Sequence, residues 1–153
     1  MSVERVQQAL DGVPHTVVTH GHVGSLAEAA AARGVEPRAV VKTLVVRRAE
    51  EDYVFVLVPG DRQLSWPKLR ALLGVSRMSL PDAEDALRVT GYKRGSITPF
   101  GSTHPWPVVA DASMVGEEIT LGGGVSGTAV RLLADDAIRA LGATVADVTE
   151  LEE

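Results

Sequence analysis

Residues 40–60 read VVKTLVVRRAEEDYVFVLVPG and contain two apolar, β-branched runs joined by a charged segment. Runs of this length and composition favour β-strands. The intervening residues, 48-RAEED-52, are typical of a hairpin loop. Because the runs are almost continuously apolar and do not alternate, both faces of the strands are expected to be buried. The stretch therefore predicts a central β-hairpin packed inside the protein.

The segments around this hairpin predict further strands and single helices. Ser25, Glu28 and Gly34 form a capping box and a glycine stop around one helix. Helices are expected at 3–10, 25–34, 65–74 and 82–90, with a last one from Asp135 or Asp136 to Gly142. Strands are expected at 14–20, 75–80, 107–114, 117–121, 127–133 and 144–148, and a turn at 61–65. The pattern predicts one α/β domain over residues 1–153, with a mixed, strongly twisted, partly barrel-like sheet and helices packed outside it.

Composition limits the possible functions. The 153 residues include no cysteine, which excludes disulfides, thiolate ligands and a cysteine nucleophile. No signal-peptide pattern or membrane-spanning apolar run occurs, so we expect a cytoplasmic protein that makes no membrane contact.

Charge is unevenly distributed along the chain. The net charge of −5 opposes strong non-specific binding of nucleic acid. Residues 33–94 nevertheless contain 12 Lys and Arg against 8 Asp and Glu, whereas residues 95–153 contain 2 against 9. An anionic partner on the middle segment and an ordinary solvated surface with an acidic tail both fit this pattern.

Lys42 lies within an apolar strand, where a buried unpaired ammonium would be very costly. It is therefore either an edge-strand lysine that discourages aggregation or a side chain that reaches a polar cleft.

The loop 95-GSITPFG-101 combines two glycines, a proline and two hydroxyls. Gly95 and Gly101 permit unusual backbone angles, and Pro99 stiffens the loop. Successive N–H groups on such a loop can converge on an anion or a developing oxyanion, with Ser96 and Thr98 as added donors. A surface turn capped by its own side chains is the alternative.

Other polar or glycine-rich segments give weaker signals. Gly122, Gly123 and Gly124 form either a bulge or hairpin, or a place where a ligand approaches the backbone. His20 and His22 have no third ligand at a characteristic spacing, so a solvent loop is favoured over a metal site. No metal or cofactor is expected.

Six motifs together resemble the YbaK/ProX family of trans-editing aminoacyl-tRNA deacylases, related to the editing domain inserted in some bacterial prolyl-tRNA synthetases. The resemblance covers about residues 14–150 and includes the family's G-x-x-x-P loop at Gly95–Pro99. The motifs are KTLVV (42–46), VPGDRQL (58–64), ALLGVSRMSL (71–80), TGYKRGSITPFG (90–101), PVVADASM (107–114) and GGGVSGTAVRL (122–132).

This resemblance implies a YbaK-like fold and hydrolysis of the ester that joins a wrong amino acid to the tRNA 3′ end, with Ala- or Cys-tRNA(Pro) as first substrates. The nucleophile would be water or a group on the substrate. The implied catalytic candidates are Lys42, Gly95, Ser96 and Thr98. The implied substrate-binding candidates are His20, Pro99, Phe100, Gly101, Asp111, Gly122, Gly123 and Gly124. The implied partners are the tRNA acceptor end and a recruiting aminoacyl-tRNA synthetase.

Two positions depart from the family pattern. Cysteinyl-tRNA deacylases usually carry a serine and an aspartate where this chain has Gly122 and Ala129, which puts cysteine specificity in doubt. A non-catalytic module that binds aminoacyl-tRNA or a synthetase is therefore an alternative. A pocket for free amino acids or small acyl compounds is a third.

Overall fold

The computed structural model describes residues 3–21 and 23–152. The helices there are α1 Val3–Ala9, α2 Leu26–Arg33, α3 Trp66–Leu73, α4 Ala83–Thr90 and α5 Ala134–Leu141. The strands are β1 Thr16–Thr19, β2 Val41–Ala49, β3 Asp52–Pro59, β4 Arg62–Leu64, β5 Val108–Asp111, β6 Glu118–Gly122, β7 Thr128–Leu133, β8 Thr144–Ala146 and β9 Thr149–Leu151. Two short 3₁₀ turns cover Pro37–Ala39 and Ala112–Met114.

The predicted hairpin is confirmed and lies in a four-stranded sheet of order β2-β3-β5-β8. β2 and β3 pair antiparallel, whereas β3 with β5 and β5 with β8 pair parallel. Successive side chains of β3 enter opposite core clusters: Phe55 packs in one and Val56 in the other. Every residue of β3 from Tyr53 onward is buried for this reason.

The remaining strands form two smaller antiparallel sheets, β1-β7-β6 and β4-β9. A single bridge between Val40 and Thr120 links the start of β2 to β6. The mixed α/β fold class is confirmed. The strands divide among three sheets, and no closed barrel forms within the described residues.

Local capping signals explain where the helices begin and end. The Ser25 hydroxyl accepts a hydrogen bond from the Glu28 N–H at 3.1 Å, and the Glu28 carboxylate accepts one from the Gly24 N–H at 2.5 Å. Ser65 and Asp82 cap α3 and α4 in the same way. The helices α2, α3, α4 and α5 each end at a left-handed glycine.

One strand prediction and one turn prediction were wrong. Residues 75–80 form no strand, and only Ser79 pairs, through two backbone hydrogen bonds with Arg47 at 2.8 and 3.1 Å. The predicted turn at 61–65 contains β4, whose partner β9 was not predicted. Neither three-residue strand is long enough to show a periodic pattern, and the pairing joins residues 85 or more positions apart.

In the stretches 3–21 and 23–152, no helix has the length and apolar character needed to cross a membrane.

Candidate functional site

A cavity of about 500 Å³ runs along the outer edge of β2, from Val40 to Val45. We call it the edge cavity. It opens because β2 is the last strand of its sheet and is bridged only near its ends, at Val40 by Thr120 and at Arg47 by Ser79. The residues that line it beyond β2 are Arg33, Leu80, Pro81, Ala86, Arg94, Gly95, Ile97 and Gly122.

A second cavity, also of about 500 Å³, lies beside the turn between β6 and β7. We call it the glycine cavity. Its walls are His20, Gly21, Val23, Arg33, Lys93, Arg94, Gly95, Ser96 and residues 124–128. Arg33, Arg94 and Gly95 line both cavities. The two spaces therefore meet at the start of the G-x-x-x-P loop.

The hydroxyl groups of the loop brace the loop itself. Both the backbone N–H and the hydroxyl of Ser96 donate to the Lys93 carbonyl oxygen, at 3.0 and 2.9 Å. The Thr98 hydroxyl accepts from the Phe100 N–H at 3.3 Å. Gly95 adopts a φ of +93°, which favours glycine. These contacts hold the loop in one shape without help from a ligand.

Two backbone N–H groups of the loop, those of Gly95 and Ile97, have no partner among the described residues. Gly95 and Ile97 both line the edge cavity. Fixed, unpaired N–H groups beside a cavity are suited to an anion or to a carbonyl oxygen that gains charge.

Gly122 allows β6 to approach this loop closely. A Cβ atom at position 122 would lie 3.3 Å from the Ile97 carbonyl oxygen and 3.5 Å from that of Ser96. At Gly123, a Cβ atom would meet the Thr128 side chain at 2.5 Å. Gly124 has a φ of +87° and lines the glycine cavity. The three glycines thus serve close packing and a tight turn beside the two cavities.

Lys42 is half-buried and borders the edge cavity. Its Nζ donates to the Arg62 carbonyl oxygen at 3.2 Å. An ammonium has three donors, so this bond anchors the side chain and leaves further N–H groups for a ligand. The structure therefore brings Lys42, Gly95 and Gly122 to one cavity.

His20 lines the glycine cavity and has one unpaired ring nitrogen. Its Nδ1 lies 2.8 Å from the Gly21 carbonyl oxygen, which can only accept, so Nδ1 carries the proton. In the neutral ring Nε2 is then an acceptor, and this buried atom has no hydrogen-bond partner. It can accept from a hydroxyl group or a water molecule.

Three of the five buried side-chain atoms without a hydrogen-bond partner in the described part of the chain belong to residues that line the two cavities; the other two are in Ser102 and Arg131. Besides His20 Nε2, the buried Thr43 Oγ1 and Arg33 Nε have no partner, and both residues line the edge cavity. Burial lowers the pKa of Arg33, whose Nη1 donates to Thr120 Oγ1 at 3.0 Å. Such atoms are rare in folded proteins and mark places where a ligand or water completes the bonding. Sequence reasoning missed Arg33 and Thr43, because an arginine at a helix end and a threonine in a strand are ordinary there.

Six of the proposed site residues line neither cavity, namely Thr98, Pro99, Phe100, Gly101, Asp111 and Gly123. Thr98, Pro99 and Phe100 are buried, and Phe100 packs in the core. Gly101 has a φ of +75° and lies against the Tyr92 hydroxyl. The residues from Thr98 to Gly101 pack the loop against the protein core, on the side away from the cavities.

Asp111 also lies outside both cavities and is almost fully buried. Its carboxylate accepts from the Ser113 and Val148 N–H groups at 3.1 Å each and lies 3.8 Å from Arg62 Nε. Burial alone would raise the pKa of Asp111, but hydrogen bonds from Ser113 and Val148 outweigh it and lower the pKa. The contacts of this residue join β5 to the segments that carry β4 and β9.

No group of three potential metal ligands occurs among residues 3–21 and 23–152. His22, the second histidine of the pair considered above, lies outside the described residues.

Comparison with known proteins gives consistent matches. A family model described as aminoacyl-tRNA editing domain matches residues 20–140. The chain is 32% identical over 111 residues to a proline–tRNA ligase of Trichlorobacter lovleyi, covering 71% of this chain and 19% of the ligase. It is 40% identical over 67 residues to a proline–tRNA ligase of Caldicellulosiruptor saccharolyticus, covering 44% and 12%. The chain thus spans less than a fifth of the length of these relatives.

A solved structure of similar size matches over nearly its whole length. It is described as a candidate trans-editing enzyme for prolyl-tRNA synthetase, and it superposes with a TM-score of 0.88 at 29% identity. The match covers 97% of this chain and 96% of the other.

Proposed function

The chain belongs to the aminoacyl-tRNA editing domain family, and from that membership we propose that it hydrolyses the ester of a mischarged aminoacyl-tRNA. Membership also confirms the resemblance to YbaK-type proteins noted in the sequence. The observation that supports the proposal is one cavity lined by Lys42, whose ammonium is anchored by Arg62, and by Gly95 and Ile97, whose N–H groups have no partner in the described part of the chain.

The proposed reaction is attack on the ester carbonyl carbon. Addition of water, with loss of one proton, gives a tetrahedral intermediate whose former carbonyl oxygen is negatively charged. We assign stabilisation of that charge to the N–H groups of Gly95 and Ile97, because the hydrogen bonds within the loop fix its shape before the substrate arrives. Collapse breaks the bond to the tRNA 3′-terminal oxygen, which takes up a proton and leaves as a hydroxyl. The products are free amino acid and uncharged tRNA.

Lys42 contributes positive charge beside the reacting group. We assign it to holding the ester or the terminal phosphate by hydrogen bonds from Nζ. The hydroxyls of Ser96 and Thr98, earlier candidates for direct donors, act in this proposal by keeping the loop in shape, since both are bonded within the loop.

The terminal ribose is proposed to lie at the junction of the two cavities. There His20 Nε2 can accept a hydrogen bond from a ribose hydroxyl or from the attacking water. A substrate whose terminal ribose lacks the hydroxyl next to the ester distinguishes these roles. Loss of hydrolysis would indicate that His20 accepts from the ribose hydroxyl, and retention would indicate that it accepts from the attacking water.

The amino acid side chain would be selected by the walls of the edge cavity, which are largely apolar. Apolar pockets discriminate by only about 1–3 kcal/mol per methylene, so several small side chains are expected to be accepted to different degrees. Ala- and Cys-tRNA(Pro) remain the first substrates to test. Recruitment by a prolyl-tRNA synthetase would supply the tRNA specificity that a small pocket lacks.

The test is a deacylation screen with tRNAs charged with each amino acid. The measured quantity is the amount of labelled amino acid released over time. The proposal expects hydrolysis of at least one mischarged tRNA well above the rate without protein. Binding of charged tRNA without hydrolysis across the whole panel would contradict the proposed hydrolysis and favour a non-catalytic module that binds aminoacyl-tRNA.

A further inference from the structure

A groove of about 470 Å³ lies at the far end of β2, beyond the edge cavity. We call it the arginine groove. Its walls are Arg47, Arg48, Ala49, Arg70 and residues 76–79. No carboxylate lines it, although the protein as a whole carries a net charge of −5.

The fold brings these cations together from three separate elements. β2 supplies Arg47 and Arg48, next to a register shift between Arg47 and Ala49 in its pairing with β3. α3 supplies Arg70 from its last turn. The paired backbone hydrogen bonds between Arg47 and Ser79 bring the segment with Arg77 against the strand. The clustering is thus held by backbone contacts despite the repulsion between like charges.

Three of the four arginines lack a carboxylate in direct ion-pair contact in the described part of the chain, although Arg47 also attracts Glu51 at longer range. Arg48 is paired with Asp52 at 2.8 Å, and the neighbouring Glu51 is paired with Arg88 at 3.0 Å. Within the described ranges, Arg47, Arg70 and Arg77 form no ion pair with a carboxylate. Arg47 and Arg77 are exposed. Unpaired guanidiniums in an open groove, with the nearby hydroxyls of Ser76 and Ser79, suit phosphate groups.

The groove continues the edge cavity along the same two segments. The edge cavity is lined by residues 40–45 at β2 and by residues 80–81. The arginine groove is lined by neighbouring residues of the same two segments, 47–49 and 76–79. With a rise of about 3.3 Å per strand residue, Thr43 and Arg48 lie roughly 17 Å apart. A chain whose end occupies the cavity would therefore pass over the arginines within a few nucleotides.

We propose that the arginine groove binds the phosphate backbone of the tRNA acceptor arm while its acylated end occupies the edge cavity. The inference rests on the proposed function in one respect, that the acylated end of a tRNA occupies the edge cavity. The RNA backbone would be the anionic partner that the positive charge of residues 33–94 suggested. The groove would contribute to the affinity for tRNA and not to the hydrolysis of the ester.

The test measures binding of an uncharged RNA minihelix, an acceptor stem with a single-stranded CCA end, by fluorescence anisotropy at several KCl concentrations. The variant is Arg47→Gln/Arg77→Gln. The matched control is Arg38→Gln/Arg139→Gln, which also removes two exposed arginines, each paired elsewhere with Glu36 or Asp136. Circular dichroism and thermal melting confirm that both variants fold.

The groove variant is expected to bind the minihelix roughly 10-fold or more weakly at 0.1 M salt, with the slope of log K against log salt reduced by about two. The control should change neither quantity. An affinity and salt slope equal to wild type in the groove variant would overturn the proposal.

A second measurement separates this inference from the proposed hydrolysis. If the chain deacylates, the groove variant should hydrolyse an aminoacylated CCA trinucleotide at the wild-type kcat/KM but full aminoacyl-tRNA more slowly. If no substrate is hydrolysed, the proposed function fails, while the minihelix result still decides the role of the groove.

Discussion

Lys42 is the residue at which charge, burial and position coincide. It borders the edge cavity, and a single hydrogen bond to Arg62 holds its amine. Lys42→Met keeps the apolar stem and removes the charge. We expect kcat/KM for the accepted aminoacyl-tRNA to fall about 10²- to 10³-fold, as when a preorganised electrostatic donor is removed.

Steady-state deacylation kinetics measure this effect, and Lys68→Met serves as the control. Lys68 is an exposed lysine that pairs with Asp147 at 3.0 Å, and it lines neither cavity. Wild-type kinetics in Lys42→Met, with an unchanged melting temperature, would remove Lys42 from the proposed mechanism.

Gly101 tests how closely the loop is packed from behind. A Cβ atom there would lie 2.6 Å from the Tyr92 hydroxyl oxygen and 2.8 Å from the Arg5 carbonyl oxygen, at a φ of +75°. Gly116 has nearly the same φ, +80°, but no atom lies within 4 Å of its Cβ position. Gly101→Ala and Gly116→Ala therefore share the backbone strain and differ in the contact.

We expect Gly116→Ala to lower the free energy of unfolding by about 1 kcal/mol and Gly101→Ala by about 2–4 kcal/mol. Urea denaturation of the two variants beside wild type gives both values. Equal decreases in the free energy of unfolding would show that the loop around Gly101 moves to accommodate the added methyl group.

At the scale of elements, Asp111 ties β5 to the segments around β4 and β9, and it does so as a charged group. Its pKa is lower in the folded protein than the ordinary value of 3.8. The stabilisation is therefore complete above about pH 4 and is lost as the pH falls through the folded-state pKa. Asp111→Asn should be less stable at pH 7 by about 1–3 kcal/mol.

Thermal melts between pH 2 and pH 7 check this prediction. The stability difference between wild type and Asp111→Asn should narrow below pH 4. A constant difference across that range would mean that the carboxylate contributes through its shape and not through its charge.

Elements with local signals were predictable, and elements without them were not. The hairpin of residues 40–60 and the helix caps at Ser25, Ser65 and Asp82 follow from neighbouring residues. The pairing of β4 with β9 depends on contacts across the chain, so no window of sequence contains it. The same limit applies to the site: Gly95 and Gly122 belong to recognisable motifs, whereas Arg33 and Thr43 become notable only once folding leaves their polar atoms unpaired.

At the scale of the whole molecule, β3 joins the two core clusters. Phe55 and Leu57 belong to one, and Val54, Val56 and Val58 belong to the other. Because neither cluster can be lost without exposing this strand, we expect one cooperative unfolding transition, consistent with our proposal of a single domain over residues 1–153.

The fluorescence of the two tryptophans monitors the unfolding of the two core clusters separately. Trp106 packs against the first cluster and Trp66 against the second. Fluorescence-monitored urea unfolding of Trp66→Phe and Trp106→Phe should give single transitions with equal denaturant dependence, after allowance for each substitution's effect on stability. A biphasic curve, or clearly different slopes for the two probes, would contradict a single cooperative unit.

Arg33 forms part of the wall of both the edge cavity and the glycine cavity, and its guanidinium is held by Thr120 on one side only. A ligand that moves the Arg33 side chain in one cavity would therefore change the wall of the other. The binding free energies of two ligands, one in each cavity, are then expected not to add, and a fragment screen that scores each ligand alone would misjudge a molecule that fills both cavities.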